Sequence, residues 1–279
     1  MKYFKICELT MSIEAEDEGL IQNYSVFASE EPDSVDISVI VKRSRVIHKT
    51  CGEPILNDNI IWMVDKEHSC LNITVCPGNE VITSMDVNDT WRDATLQYLD
   101  NGNEWEWKRT NSLFEILFRN NLIFNEGIVL HASAIEWQGK AIVFTAPAGT
   151  GKTTQSNLWK QHMNAVVLNG DRPAIKTIDK EVFIYGTPWS GSSKDYINKR
   201  APLAALVLLE QAPENSVRQL SSEEALMKIM PRFFLPYNDQ HMMELAMNTI
   251  ERILQLKPVY LLRCRPDKGA VDALYEKIR

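Results

Sequence analysis

Sixteen consecutive residues, Ala141-Ile-Val-Phe-Thr-Ala-Pro-Ala-Gly-Thr-Gly-Lys-Thr-Thr-Gln-Ser156, restrict what this chain can fold into more than any other stretch. They read as a buried strand, a glycine-containing loop and the opening of a helix. In that order the N–H groups of the loop and of the helix N-terminus converge on one point, where an anion is favoured. Gly151-Lys152-Thr153 ends the loop as a phosphate-binding loop ends, with Ala146 standing where the usual pattern begins with glycine. Ala148, Gly149, Thr150, Gly151, Lys152, Thr153 and Thr154 are therefore expected to cradle the phosphates of a nucleotide. Lys152 would reach the β- and γ-phosphates, and the Thr153 hydroxyl would bind Mg2+. The bland alternative is a turn that happens to contain Gly, Lys and Thr; the flanking strand and helix speak against it.

The chain has 279 residues, room for one large domain or two modest ones, and its 44% hydrophobic and 24% charged content is that of an ordinary globular protein. No apolar run is long enough to span a membrane. The N-terminal segment reaches the acidic Glu14-Ala15-Glu16-Asp17-Glu18 too early for a secretion signal, so a cytoplasmic location is expected. Five scattered cysteines, Cys7, Cys51, Cys70, Cys76 and Cys264, include no Cys-x-x-Cys pair and suggest neither a zinc site nor a disulfide framework.

Charge is placed unevenly. Residues 1–126 carry 11 Lys/Arg against 22 Asp/Glu, a balance of −11, while residues 127–279 carry 19 against 15, a balance of +4, which together give the net −7. A mildly basic half suits phosphate handling. Neither half has the basic clusters of a nucleic-acid surface.

Residues 1–110 read as a β-rich domain with strands near Tyr3–Leu9, Val35–Val46, Ile60–Val64 and Leu71–Val75. Turns are expected at Glu31-Pro32-Asp33, Gly52-Glu53-Pro54, Pro77-Gly78-Asn79 and Asp100-Asn101-Gly102-Asn103. His48 and His68 stand alone, and Trp91, Trp105 and Trp107 suit packing better than a partner surface. A second domain is expected over 111–279. Its opening helix, capped by Ser112, would bridge the two halves. Gly127–Trp137 reads as one long strand that turns at Gln138-Gly139-Lys140 into the phosphate-loop strand. Helices follow at Lys152–Met163, after the Ser221-Ser222-Glu223-Glu224 capping box, at Asp239–Leu256 and at Lys268–Ile278. Strands are expected at Ala165–Leu168, Glu181–Tyr185, Leu203–Leu209 and Val259–Arg263.

The apolar strand that ends in Asn169-Gly170-Asp171 has the form of a Walker-B element. Asp171, 19 residues after Lys152, is placed to hold Mg2+ or to accept a proton from an attacking hydroxyl. The alternative is a turn aspartate after a strand. Arg172 either pairs with Asp171, touches phosphate or lies at the surface.

His131-Ala132 in a strand, then the phosphate loop and its helix, then Leu168-Asn169-Gly170-Asp171, resemble the catalytic domain of HPr kinase/phosphorylase and, more distantly, ATP-dependent phosphoenolpyruvate carboxykinase. The resemblance covers residues 113–279. It implies an α/β fold of α+β character, with the P-loop in a mixed sheet behind the β-rich N-terminal domain. It also implies that His131 lies beside the phosphate site, that Asp171 matches the second of two paired aspartates, and that Lys152 and Thr153 bind phosphate and Mg2+. Without the resemblance, His131 reads as a core histidine. Gly170 stands where the first aspartate would be, and the later stretch tied to phosphorolysis has no clear match. Gly186-Thr187-Pro188-Trp189-Ser190-Gly191 lies near that position, either as a plain turn or as a loop lining the pocket. Arg200 is the arginine chosen to neutralise the transferred phosphoryl, over Arg232, Arg263 and Arg265.

These readings describe an ATP- and Mg2+-dependent kinase for a hydroxyl on a protein, peptide or small molecule, with Asp171 as the base. The N-terminal domain would recognise the acceptor, for instance a basic peptide, and relatives often form homo-oligomers. A carboxykinase-like lyase and a non-catalytic nucleotide sensor are the competing classes.

Overall fold

The computed structural model describes residues 1–47, 53–57, 60–65, 70–76, 81–99 and 105–279, without the side chains of 53–57, 60–65 and 105–109. His48, His68, Cys51 and the turns expected at 77–79 and 100–103 lie outside the described residues, as do the side chains of Trp105 and Trp107. The chain forms two compact units, Met1–Phe124 and Asn125–Arg279.

In the first unit the described strands are β1 (Lys2–Ile6), β2 (Leu9–Ala15), β3 (Ala28–Ser29), β4 (Ile37–Ser44), β5 (Glu53–Asn57), β6 (Ile60–Asp65), β7 (Cys70–Val75), β8 (Thr83–Asn88) and β9 (Asp93–Leu99). They form one sheet in the order β3-β1-β2-β4-β9-β8-β7-β6-β5. The β2–β4 and β4–β9 pairs are parallel and the others antiparallel. Helix α1 (Trp105–Ile123) packs on β8 and β9. Its Phe114 meets Tyr24 at 5.8 Å between ring centres, and the Tyr24 hydroxyl donates to Asn111 Oδ1 at 2.7 Å. These contacts make α1 part of the first unit, so the division falls at Phe124/Asn125 and not at residue 110. Ser112 lies inside the helix, seven residues past its start, and does not cap it. Trp91 is buried, in line with a packing role.

The second unit holds β10 (Gly127–Val129), β11 (Ala132–Trp137), β12 (Lys140–Thr145), α2 (Lys152–Met163), β13 (Val166–Asn169), β14 (Ala174–Ile178), β15 (Glu181–Tyr185) and β16 (Arg200–Gln211). After them come β17 (Ser216–Gln219), α3 (Ser222–Ile229), α4 (Gln240–Leu256), β18 (Val259–Cys264) and α5 (Lys268–Ile278). The sheet runs β10-β14-β15-β16-β12-β11-β13, and β18 with β17 joins at β16. Strand β12, which leads into the glycine loop, has antiparallel β11 on one side and parallel β16 on the other. The protein is therefore a mixed α/β protein with two mixed sheets.

Burial explains the arrangement around β12. Phe144 is fully buried, with the Trp159 ring of α2 6.5 Å from its own. Trp159 meets Trp137 edge-on at 5.6 Å, and Trp137 meets Tyr275 of α5 at the same distance. This aromatic stack fixes α2 on the sheet and so fixes the direction in which its N-terminus points. At α3 the Ser221 hydroxyl caps the helix as its spacing requires, accepting from the Glu224 amide at 3.2 Å, while the Glu224 carboxylate pairs with Arg218.

The long strand expected at Gly127–Trp137 is broken at Leu130-His131. Its first part pairs with β14 and its second with β12 and β13, while Leu130 bridges to Phe233. One strand cannot serve two sets of partners without a bend, and the bend falls on His131.

Candidate active site

The loop between β12 and α2 takes the shape that its glycines permit. Gly149 and Gly151 have φ of 76° and 118°, conformations that a residue with a Cβ rarely adopts. Gly151 is the N-cap of α2 and offers no side-chain acceptor, and the first turn contains no acid. The first hydrogen bond of the helix is Gln155 N to Gly151 O at 2.9 Å, so the amides of Lys152, Thr153 and Thr154 have no partner within the helix. Such a terminus attracts an anion. Thr153 and Thr154 are exposed there. A cleft of about 560 Å³ opens beside the loop, lined by residues 146–150 together with Glu210, Gln211, Lys228 and Arg232.

Lys152 Nζ lies 2.9 Å from His131 Nε2 and donates to Ala146 O at 3.1 Å. His131 Nδ1 lies 3.1 Å from Asp171 Oδ1, and the other carboxylate oxygen, Oδ2, lies 3.3 Å from Arg172 Nε. Lysine, histidine, aspartate and arginine thus form one continuous polar chain across the end of three strands. Burial, opposed by the Asp171 charge and aided by that of Arg232, holds Lys152 below its ordinary pKa. For Asp171 burial works upward. The hydrogen bond from His131 and the charges of Arg172, His131 and Lys152 outweigh it and hold the carboxyl below its usual range.

The backbone positions each member. His131 N donates to Arg232 O at 2.7 Å, and the Thr145 hydroxyl donates to His131 O at 2.8 Å. Ala132 N donates to Asp171 O at 2.9 Å, joining the ends of β11 and β13. Asn169, fully buried, accepts from the Asp171 and Arg172 amides at 2.9 and 2.7 Å and donates to Thr187 O and Trp189 O at 2.9 and 3.3 Å. This one side chain ties the Asp171 turn to the loop over 186–193. Gly191 of that loop sits directly on the Asp171 carboxylate. Gly170 packs so closely on Ser193 that a Cβ there would lie 2.0 Å from its hydroxyl, which leaves no space for an aspartate side chain at position 170.

Arg200 is held elsewhere. It opens β16 opposite Tyr185, its guanidinium 4.8 Å over the Phe183 ring and donating to the Tyr185 hydroxyl at 3.1 Å. Leu208, which pairs with Thr145 at the loop end of β12, comes eight residues later, about 26 Å of extended strand. The guanidinium groups that the fold brings to the Lys152–Asp171 chain are those of Arg172 and Arg232. Arg232 had no local signal to single it out, because the Leu130–Phe233 bridge, a contact between residues about 100 apart in sequence, is what carries it there. Asn169 lay within the motif that was read, but its role depends on a loop 18 to 20 residues further on.

A magnesium ion with its nucleotide asks little of the protein, because phosphates and water fill most of its six positions. The donors here, the exposed Thr153 hydroxyl and a carboxylate whose oxygens each keep a free lone pair, fit that need. Among the described residues, no group of three or more His, Cys, Asp or Glu side chains could hold a metal ion without such help.

Neither models of protein families nor curated proteins match this chain. Among solved structures it is similar to the Hpr(Ser) kinase/phosphatase from Coxiella burnetii, with 11% identity over 53% of this chain and 94% of that one, at a TM-score of 0.33. Among the described residues no helix is long and apolar enough to cross a membrane.

Proposed function

We propose that the chain is an ATP- and Mg2+-dependent phosphotransferase related to HPr kinase, which moves the γ-phosphoryl group to a hydroxyl. The observation that carries this reading is the Lys152–His131–Asp171 chain, 2.9 and 3.1 Å per link, set at an uncapped helix N-terminus behind a glycine loop. Phosphoryl transfer depends mainly on position and charge neutralisation, so these few groups suffice.

In this reading the first-turn amides of α2 and Lys152 grip the phosphates, and Arg232 faces the transferred end. Thr153 and Asp171 would hold Mg2+, which supplies neutralisation of the charge shared by the β- and γ-phosphates. The 186–193 loop, tied to Asp171 through Asn169, shapes the acceptor's approach. A peptide or small-protein hydroxyl is the acceptor we favour, with the acidic first unit suited to basic residues around it, in a cytoplasmic setting.

The test is transfer of labelled γ-phosphate from Mg·ATP to a panel of serine- and threonine-containing peptides and small hydroxyl compounds, with Lys152→Ala as control. Label on an acceptor that vanishes in the control supports the reading. Nucleotide that binds yet labels no acceptor makes the protein a sensor instead.

A further inference from the structure

We infer that the base of the nucleotide lies in a second cleft beside the glycine loop, and that the buried Gln155 carboxamide selects there for an exocyclic amino group, hence for adenine; this rests on the kinase reading above.

This cleft, of about 390 Å³, shares residues 149–151 and Thr154 with the phosphate loop and has the volume of a small-molecule site. Its other wall is made where β16 and β18 end, by Gln211-Ala212 and Cys264-Arg265-Pro266. Strands β12, β16 and β18 run parallel, so all three finish at one edge of the sheet, where open α/β sheets take their ligands. Gln211 reaches back to the loop, its Nε2 donating to Thr150 O at 3.4 Å. The larger cleft carries Glu210, Lys228 and Arg232 and suits the charged end of a nucleotide. Here, among the described residues of the lining, Arg265 alone is charged, which suits a neutral base.

Gln155, on α2, is 2% exposed. Its Nε2 donates to Cys264 Sγ at 3.2 Å, and its Oε1, shielded from solvent, has no hydrogen-bond partner. A buried acceptor left unpaired is costly, so a ligand that brings a donor to it gains affinity. Burial pushes the Cys264 thiol up, so the sulfur is an uncharged, weak acceptor. The carboxamide can therefore turn to a ligand without giving up a strong bond. The N6 amino group of adenine supplies the donor. Hypoxanthine puts a carbonyl oxygen in its place, and two acceptors then face each other.

The test titrates Mg·ADP and Mg·IDP, which share their sugar and phosphates, into the full chain by calorimetry. Wild type should bind ADP about 10-fold more tightly, the worth of one hydrogen bond. In Gln155→Met, which keeps the length of the side chain, the ADP-to-IDP preference should fall to about one. Labelling gives a second reading that needs no variant. Irradiated Mg·2-azido-ATP should mark wild-type peptides that carry residues 211–212 or 264–266. Equal affinities in wild type, a preference for IDP, a preference for ADP that persists in folded Gln155→Met, or label elsewhere overturns the inference and leaves the kinase reading standing. A wild-type chain that binds neither diphosphate nor Mg·AMP-PNP overturns both.

Discussion

Gly191 lies so close to Asp171 that a Cβ at position 191 would stand 2.8 Å from both Cγ and Oδ2 of its carboxylate. Its φ of 60° adds a second reason for glycine. Gly191→Ala must therefore strain the loop or swing the carboxylate off His131 and Arg172. The expected outcome is a loss of about 1–3 kcal/mol in stability. If the chain is the proposed kinase, phosphoryl transfer should fall far more than nucleotide binding, because the loop over 146–151 and the N-terminus of α2 are untouched. Thermal unfolding and calorimetric nucleotide titration of one variant check both halves.

Arg232 and Arg200 separate cleanly. Arg232 lines the cleft beside the glycine loop and its charge presses on Lys152. Arg200 rests on Phe183 and Tyr185. Arg232→Gln should weaken AMP-PNP binding by about 10-fold or more, the worth of one charge-assisted hydrogen bond, while ADP binding changes little. Arg200→Gln should leave both affinities alone and lower the melting temperature slightly, through a lost stacking contact of about 1 kcal/mol. Titrations with the two nucleotides distinguish the pair.

The parts of this site that could be read from the chain are those made by neighbours in sequence. Gly149, Gly151, Lys152 and Thr153 belong to one contiguous loop and helix turn, so their arrangement follows from spacing alone. Asp171 stood out in the sequence because it follows an apolar strand, β13, by two residues. His131 was read as lying within a strand, yet it sits at a break caused by two sets of pairing partners, which no local pattern encodes. Asn169 and Arg232 depend on contacts with residues 187–189 and with the Leu130–Phe233 bridge, and became visible only with the chain folded. Arg200 shows the reverse: a basic residue before a strand looked available for phosphate, and two aromatic rings had claimed it. In the first unit β3 and β5 went unread, Glu53-Pro54 beginning β5 where a turn was expected, and so did β2, β8 and β9. Their alternation is short and polar residues such as Ser12, Thr83 and Ser84 are buried in them.

One ion pair gives a pH signature remote from the chemistry. Glu136, at the end of β11, pairs with Lys199 at 2.7 Å, and its carboxyl also accepts from Gly139 N at 2.8 Å. The Lys199 hydrogen bond, opposed by burial, holds its pKa below the ordinary value. A depressed folded-state pKa contributes stability that is complete above the unfolded value, near 4.5, and is lost as pH falls through the folded one. With Lys199 half exposed, the contribution is about 0.5 kcal/mol. Glu136→Gln should melt slightly below wild type at neutral pH, and the gap should close in acid. Melting curves across that range check the sign.

The open end of α2, with Lys152 at its base, is proposed to grip a nucleotide's phosphates. Calorimetric titration of Mg·AMP-PNP into wild type and Lys152→Ala measures this directly. Saturable one-to-one binding by wild type is expected, weakened about 10- to 100-fold in the variant. Equal affinities in the two proteins, or no binding by wild type, would contradict it.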